Sequence, residues 1–284
     1  MLTKIQSPKS SNNKIQINDL YIASAPLEID NKLTIDIVDV RDFCFCPKYY
    51  DLKNKNQNEI NVRTLYNKSL HRTFYAYLLA LQENRLDSTL EFLKYKWGKE
   101  WIKYKNTKDI LVTRSSIWKD SHERLRKKGI DAIFNFNDIM LNDKQCPIII
   151  GHKYQIEIVP NVILTGTYEY VRECTINNKK VIQLVKFITQ TNRFNTNIAR
   201  QFDIELMAAA YAFKETFNVD YFQAVTIEIE TKKTTINTYT NKEYDLLKQT
   251  VKNVVLSIQN NIKCISPDKQ CYHCEYRNVC INDL

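Results

Sequence analysis

Apolar residues recur at helical intervals through the first half of the chain and at alternate positions through much of the second. LYNKSLHRTFYAYLLALQ carries Leu65, Phe74, Leu78 and Leu81 at helical spacing, and STLEFLKYKWGKEWIKY and SSIWKDSHERLRKKGIDAIFNF read as further amphipathic helices. From about residue 152 the period changes to two. HKYQIEIVP and VILTGTYEYVRE predict strands broken by Pro160–Asn161, and INNKKVIQLVKFIT predicts a hairpin turn feeding a third strand. IARQFDIELMAAAYAFKETF predicts a helix whose alanines allow close packing on a sheet. YFQAVTIEIET and KTTINTYT predict two more strands, and NKEYDLLKQTVKNVVLSIQNN a closing helix with Asn241 as its N-cap.

The predicted order is helices, three strands, helix, two strands, helix. That is an α/β (α+β) domain with a mixed central sheet flanked by helices. Residues 1–35 read as a polar arm with weak strand character, and 36–284 as a single domain carrying a helical insertion at about 65–140. No internal repeat is visible, and no linker follows residue 35.

Composition narrows the chemistry. The 284 residues can bury one large core or two modest ones, and a 44% hydrophobic share indicates a globular chain. Only 4 glycines are present, so glycine-rich phosphate loops are excluded. The formal net charge of +9 favours a polyanionic partner, although surface lysines often serve only solubility. The basic residues fall in Lys48–Lys55, Arg124–Lys128, Lys179–Lys186 and Lys232–Lys233. No apolar run reaches the roughly 18 residues of a membrane span, and the N-terminus lacks an apolar signal core, so a soluble cytoplasmic protein is expected.

The 8 cysteines stand at 44, 46, 146, 174, 264, 271, 274 and 280, half of them after residue 263. In a reducing compartment they point to metal rather than disulfides. CYHCEYRNVC has the spacing C-x2-C-x5-C, and a tetrahedral thiolate site wants a fourth ligand. Cys46, in FCFCPKYY, is the only early cysteine in a comparable context. Joined to Cys271, Cys274 and Cys280, it would close a long loop and constrain the unfolded chain. The spacing alone fits zinc or an iron–sulfur cluster. Cys146 and Cys174 read as buried thiols, and Cys44 and Cys264 as spare neighbours of the site.

VRDFCFCPKYYDL, followed far along the chain by PDKQCYHCEYRNVC, resembles the iron–sulfur subset of RecB-type PD-(D/E)XK nucleases. That subset includes the CRISPR-adaptation nucleases and the nuclease domain of AddB. The resemblance spans roughly residues 36–282. It implies a restriction-endonuclease-like fold and a [4Fe–4S] cluster on Cys46, Cys271, Cys274 and Cys280. It also implies a centre in which acids hold Mg²⁺ or Mn²⁺, the metal activates water and a lysine stabilises developing charge.

The centre matches in part. NKSLHRTF supplies His71 at the metal-facing helix histidine, with Asn67 where a small residue is usual. LTGTYEYV supplies Gly166, with Glu169 where aspartate is usual. Lys186 occupies the lysine of the next strand, but Leu184 stands at its acidic partner position. Gln183 points to the opposite face unless a bulge re-aims it. In MAAAY, Met207 replaces the usual glutamine and Tyr211 is retained. His71, Glu169 and Lys186 are thus the catalytic candidates, and His71 and Glu169 the metal ligands. Each has a bland counterpart, a half-buried histidine or a solvent-facing strand residue. Glu157, Glu173 or Glu205 would have to supply a displaced second acid, and nothing in the sequence singles one out.

Three readings follow. The first is an iron–sulfur nuclease-fold protein that binds DNA single strands or ends, with CRISPR-adaptation or recombination proteins as partners and a degenerate centre. The second is an active metal-dependent deoxyribonuclease. The third is a zinc-stapled interaction module.

Overall fold

The computed structural model describes residues 32–55, 60–83, 89–103, 110–111, 118–142, 147–176, 179–189, 203–219 and 221–265, with 271, 274, 276, 279 and 280. Most of the predicted arm, and Cys146, lie outside the described residues. In chain order the elements are β1 (Leu33–Asp36), α1 (Ile37–Phe45), α2 (Pro47–Lys55), β2 (Ile60–Asn61), α3 (Val62–Gln82), α4 (Leu90–Ile102), β3 (Ile110–Leu111), α5 (Trp118–Asn142), β4 (Pro147–Val159), β5 (Val162–Ile176), β6 (Lys179–Ile188), α6 (Ile204–Phe217), β7 (Gln223–Glu228), β8 (Lys233–Asn237) and α7 (Asn241–Gln259).

The expected α+β architecture is present. A mixed six-stranded sheet runs β1-β5-β6-β7-β8, with β4 also on β5, and β2 and β3 form a separate two-stranded pair. The β4–β5 hairpin turns at Pro160–Asn161, where Asn161 adopts φ 65°, a left-handed conformation that asparagine tolerates well. In the six-stranded sheet β1 and β5 run parallel, as do β6 and β7, and its other pairs are antiparallel; β2 and β3 also run parallel.

Two local features differ from the sequence pattern. The apolar alternation after residue 32 does not continue as a strand. Asp36 accepts the Val38 N–H at 2.9 Å and caps α1, so IVDVRDFCF winds into a helix. The cap of α7 is Thr240, one residue before the expected Asn241. Its hydroxyl accepts the Lys242 N–H at 3.3 Å while Glu243 accepts the Thr240 N–H at 2.8 Å, a reciprocal capping box that Asn241 has no matching acid to form.

Helices cover both faces of the sheet. On one, α3, α4 and α5 enclose an aromatic core in which Phe74 stacks on Phe136 at 4.0 Å and Phe187 of β6 meets both. On the other, α1, α6 and α7 pack against Leu164, Tyr168 and Leu184. Ala208, Ala209, Ala210 and Ala212 keep α6 close to the strands, as the alanine run predicts. No helix among the described residues is long and apolar enough to cross a membrane.

Candidate functional site

β5 uses one edge for β4, from Val162 to Arg172. Its other edge is divided. β1 takes Val162–Thr165 and β6 takes Tyr170–Ile176, which leaves Gly166–Glu169 without a strand partner on that side. Beyond Val185, β6 continues beside β7, with Lys186 opposite Thr226. A small cleft of about 50 Å³ opens at this fork, lined by Thr167–Val171, Leu184–Lys186 and, from α6, Glu205, Leu206 and Ala209. Open α/β sheets bind ligands where neighbouring strands diverge in this way.

The alternation of faces also slips here. Tyr168 packs edge-on to Phe213 at 5.9 Å, whereas Tyr170 stacks on Phe187 at 5.8 Å, in the opposite core. Residues two apart on a strand ordinarily share a face. β4 slips at the same level, because Ile149 and Tyr154 belong to the α6 side although they are an odd number of residues apart. The register survives, with Ile150 opposite Tyr170 and His152 opposite Tyr168. Gly151 absorbs the change with φ 59°, a conformation costly for any residue with a Cβ.

Glu169 sits at the slip and reaches in two directions. Its Oε1 is 2.5 Å from His71 Nδ1 on α3, and its Oε2 accepts the Phe187 N–H at 3.1 Å. The predicted His71 and Glu169 are therefore in contact. Burial disfavours the His71 imidazolium, but the Glu169 carboxylate outweighs it, so the His71 pKa is raised.

Lys186 reaches the N-terminus of α6. Its Nζ lies 2.7 Å from Asp203 Oδ1 and 3.0 Å from Glu205 Oε2. Asp203 is also the N-cap of α6, accepting the Leu206 N–H at 3.2 Å, so one carboxylate both starts the helix and holds the lysine. The other oxygen of Glu205 pairs with Arg41 of α1. Burial works against the Glu205 carboxylate, yet Lys186 and Arg41 bring its pKa down to about 2. The same contacts, opposing burial, push the Lys186 and Arg41 pKa values up.

Of the possible displaced acids, Glu205 alone lines the cleft. Glu157 accepts the Asn161 N–H at the hairpin turn, 3.1 Å away, and Glu173 pairs with Lys180 at 2.8 Å. Leu184 lies in the cleft lining at 2% exposure. Gln183 points away, as alternation requires, into a buried chain with Arg172 (2.9 Å) and Gln223 (2.8 Å). Met207 is buried in the core and Tyr211 packs on Tyr244 at 5.3 Å. Asn67 accepts the Thr189 hydroxyl at 3.0 Å and ties α3 to the end of β6. Arg41 and Asp203 escaped the sequence reading, although Asp203, just ahead of the alanine-rich helix, carried an N-cap signal.

The cysteine-bearing segments come together as well. Cys46 ends α1 as a buried thiol, and Pro47 opens α2, a position where the missing N–H costs nothing. Against α2, the Cys264 carbonyl accepts the Lys48 N–H at 3.2 Å, Lys263 lies 3.3 Å from Asp51, and the Tyr49 and Tyr276 rings meet edge-on at 5.5 Å. In the terminal segment the Cys280 N–H donates to the Tyr276 carbonyl at 2.8 Å. Cys174 is buried, and Cys44 and Cys264 are exposed. Among the described residues no three His, Cys, Asp or Glu side chains form a group that could hold a metal ion, at the cleft or among the cysteines.

No family model matches the chain, and no curated protein matches it. Solved structures do match. One, titled "Crystal structure of SSO0001", aligns over 91% of this chain and 89% of its own, at 9% identity and a TM-score of 0.39, and a likeness that low carries no argument about fold or function.

Proposed function

We propose that the protein is an iron–sulfur, nuclease-fold DNA-binding protein with a degenerate metal centre, acting on single strands or ends in CRISPR adaptation or recombinational repair. The observation that carries this reading is Leu184, an apolar side chain in the cleft lining beside Lys186, where a nuclease of this type needs its second acid. The carboxylates in and beside the cleft are already engaged by the protein itself: Glu169 with His71, Asp203 with Lys186, and Glu205 with Lys186 and Arg41. A hard cation held mainly through carboxylates would have to displace these partners. The donor set therefore does not fit a preformed Mg²⁺ or Mn²⁺ site, which supports the degenerate centre.

The four cysteines fit a cluster in kind, since iron–sulfur clusters are held by thiolates, and Tyr276, between Cys274 and Cys280, packs edge-on to Tyr49, three residues after Cys46. Cys46, Cys271, Cys274 and Cys280 would hold it, joining α1 to the terminal segment. A brown protein with broad absorption near roughly 400 nm supports a cluster, and a colourless zinc protein supports the interaction module.

A specific observation favours a second reading, an active nuclease in which Glu205 replaces the missing acid: Glu205, Glu169 and Lys186 line one cleft, with Lys186 3.0 Å from Glu205. Incubation of labelled single-stranded DNA with Mn²⁺ separates the two. No cleavage by the wild type, with DNA binding intact, fits the degenerate centre. Cleavage abolished by Lys186→Ala and by Glu205→Gln establishes the enzyme instead.

A further inference from the structure

α4 turns Leu93, Trp97 and Trp101 into the core, none more than 3% exposed. The helical period then sets Tyr95, Lys96, Lys99, Ile102 and Lys103 along the opposite side, with Phe92, packed in part against the core, at its edge. A merely solvated face would be polar throughout, but Tyr95 is 55% and Ile102 64% exposed. The lysines are arranged around rings: Lys96 Nζ lies 5.3 Å from the Phe92 centroid and Lys99 Nζ 5.0 Å from that of Tyr95. The acids of α4 flank this stripe, and one of them, Glu100, engages its Lys103. Glu91 pairs with Lys94 at 3.0 Å, and Glu100 pairs with Lys103 and lies 3.6 Å from Arg72.

We infer that this outer face of α4 is a docking stripe for single-stranded DNA. The inference rests on the DNA-binding reading above and adds to it the surface that does the binding. Exposed aromatic rings offer a platform on which unpaired bases stack whatever their sequence, and ammonium groups beside them meet the phosphates. A duplex keeps its bases stacked on one another and cannot use Tyr95 this way. From Phe92 to Lys103 the stripe is about 16 Å long at the helical rise, enough for a short run of nucleotides.

Fluorescence anisotropy with a 5′-labelled oligothymidylate, and with a duplex of equal length, tests the assignment on the full chain. Changing Lys96, Lys99 and Lys103 together to glutamine should weaken single-strand binding about tenfold or more and flatten the log–log salt dependence by about 2, since each phosphate neutralised on a single strand contributes about 0.7. Tyr95→Ala should cost about fivefold or more while Tyr95→Phe keeps most of the affinity, because stacking needs the ring and not the hydroxyl. All these positions face outward on α4, so thermal melts should be unchanged. A matched triple change of Lys180, Lys242 and Lys252 to glutamine should have little effect. If the stripe variants bind like wild type, or the matched triple loses as much, the stripe is wrong and the DNA-binding reading stands. If the wild type binds neither oligonucleotide at low salt, both are wrong.

Discussion

Glu205 of α6 stands between two cations from different parts of the chain, 3.0 Å from Lys186 of β6 on one oxygen and paired with Arg41 of α1 on the other. α1 is also the helix that ends at Cys46, so the cleft and the cysteine segment share a structural support. The arrangement stabilises the fold, and it occupies the acid and the lysine that catalysis would require.

This relationship makes stability depend on acid. The Glu205 pKa falls from about 4.5 in the unfolded chain to about 2 in the fold, so its contribution is complete above pH 4.5 and is lost as the pH falls towards 2. A shift of that size corresponds to at most about 3 kcal/mol, at 1.36 kcal/mol per pKa unit. His71 behaves oppositely. Its pKa is raised, so its contribution is complete below about 6.5 and is lost as the pH rises through the raised value. Urea unfolding across pH 2–9 should show both limbs, with Glu205→Gln flattening the acid side and His71→Asn the alkaline side. An acid limb unchanged in Glu205→Gln would place the titration elsewhere.

Leu184 tests the missing acid directly. Leu184→Glu should lower stability by about 2 kcal/mol or more, because it loses the burial of a core leucine and puts a carboxylate into a closed space. The new carboxylate would enter the cleft that Glu169 and Lys186 also line, where a hard cation would gain a second ligand. Mn²⁺ should therefore raise the melting temperature of the variant while leaving that of the wild type unchanged, as binding to the native state alone requires. Pairing it with Glu169→Asp should yield Mn²⁺-dependent cleavage of single-stranded DNA. A melting temperature indifferent to Mn²⁺ in both variants would count against the cleft as a degenerate metal site.

Much of the fold was legible because the sheet and its helices follow regular periods. The three strands ending at 159, 176 and 188 and the helices Val62–Gln82 and Ile204–Phe217 match the predicted segments, although β4 begins at Pro147, five residues before the predicted change of period. Motif spacing singled out His71, Glu169 and Lys186; the structure sets His71 against Glu169 and sets Glu169 and Lys186 in one cleft. The selection of Glu205 over Glu157 and Glu173 was not legible, because it depends on which helix end the fold brings to β6. The slip at Gly151 and Glu169 was invisible for a related reason. It preserves register and changes only which face each side chain takes, and the sequence around it still alternates. Arg41 belongs to a helix whose first residues look like a strand, and only the Asp36 cap decides between them.

Gly166 probes the close approach that the fork requires. A Cβ there would lie 2.3 Å from the Tyr154 hydroxyl oxygen, and Tyr154 is itself buried against Tyr168 at 4.9 Å between ring centroids. Gly166→Ala should therefore displace the ring and cost about 1–3 kcal/mol, as overpacking of a closed core does. Tyr154→Phe in the same background should recover little, because the ring carbon Cζ would still lie 2.4 Å from the new methyl group. Equal chemical-denaturation midpoints for wild type and Gly166→Ala would mean that the Tyr154 ring moves freely, and the tight fork would have to be abandoned.

The cysteine clasp has two candidate fourth ligands, and the geometry sharpens the choice between them. Cys46 is buried at the end of α1, whereas Cys264 is exposed, although its carbonyl bonds to the Lys48 N–H just beyond Cys46. Both can therefore be compared at nearly the same place in the fold. If Cys46 joins Cys271, Cys274 and Cys280, Cys46→Ser should lose the iron and most of the soluble protein, because metal-binding energy at such a site is folding energy. Cys264→Ser should retain iron and colour. Tyr276→Ala, which removes a side chain buried at 3% exposure against Tyr49, should loosen the segment and speed iron loss to a chelator without abolishing assembly. Anaerobic purification with iron and sulfide quantified per chain decides the matter. Full iron in Cys46→Ser together with loss in Cys264→Ser would transfer the fourth ligand to Cys264.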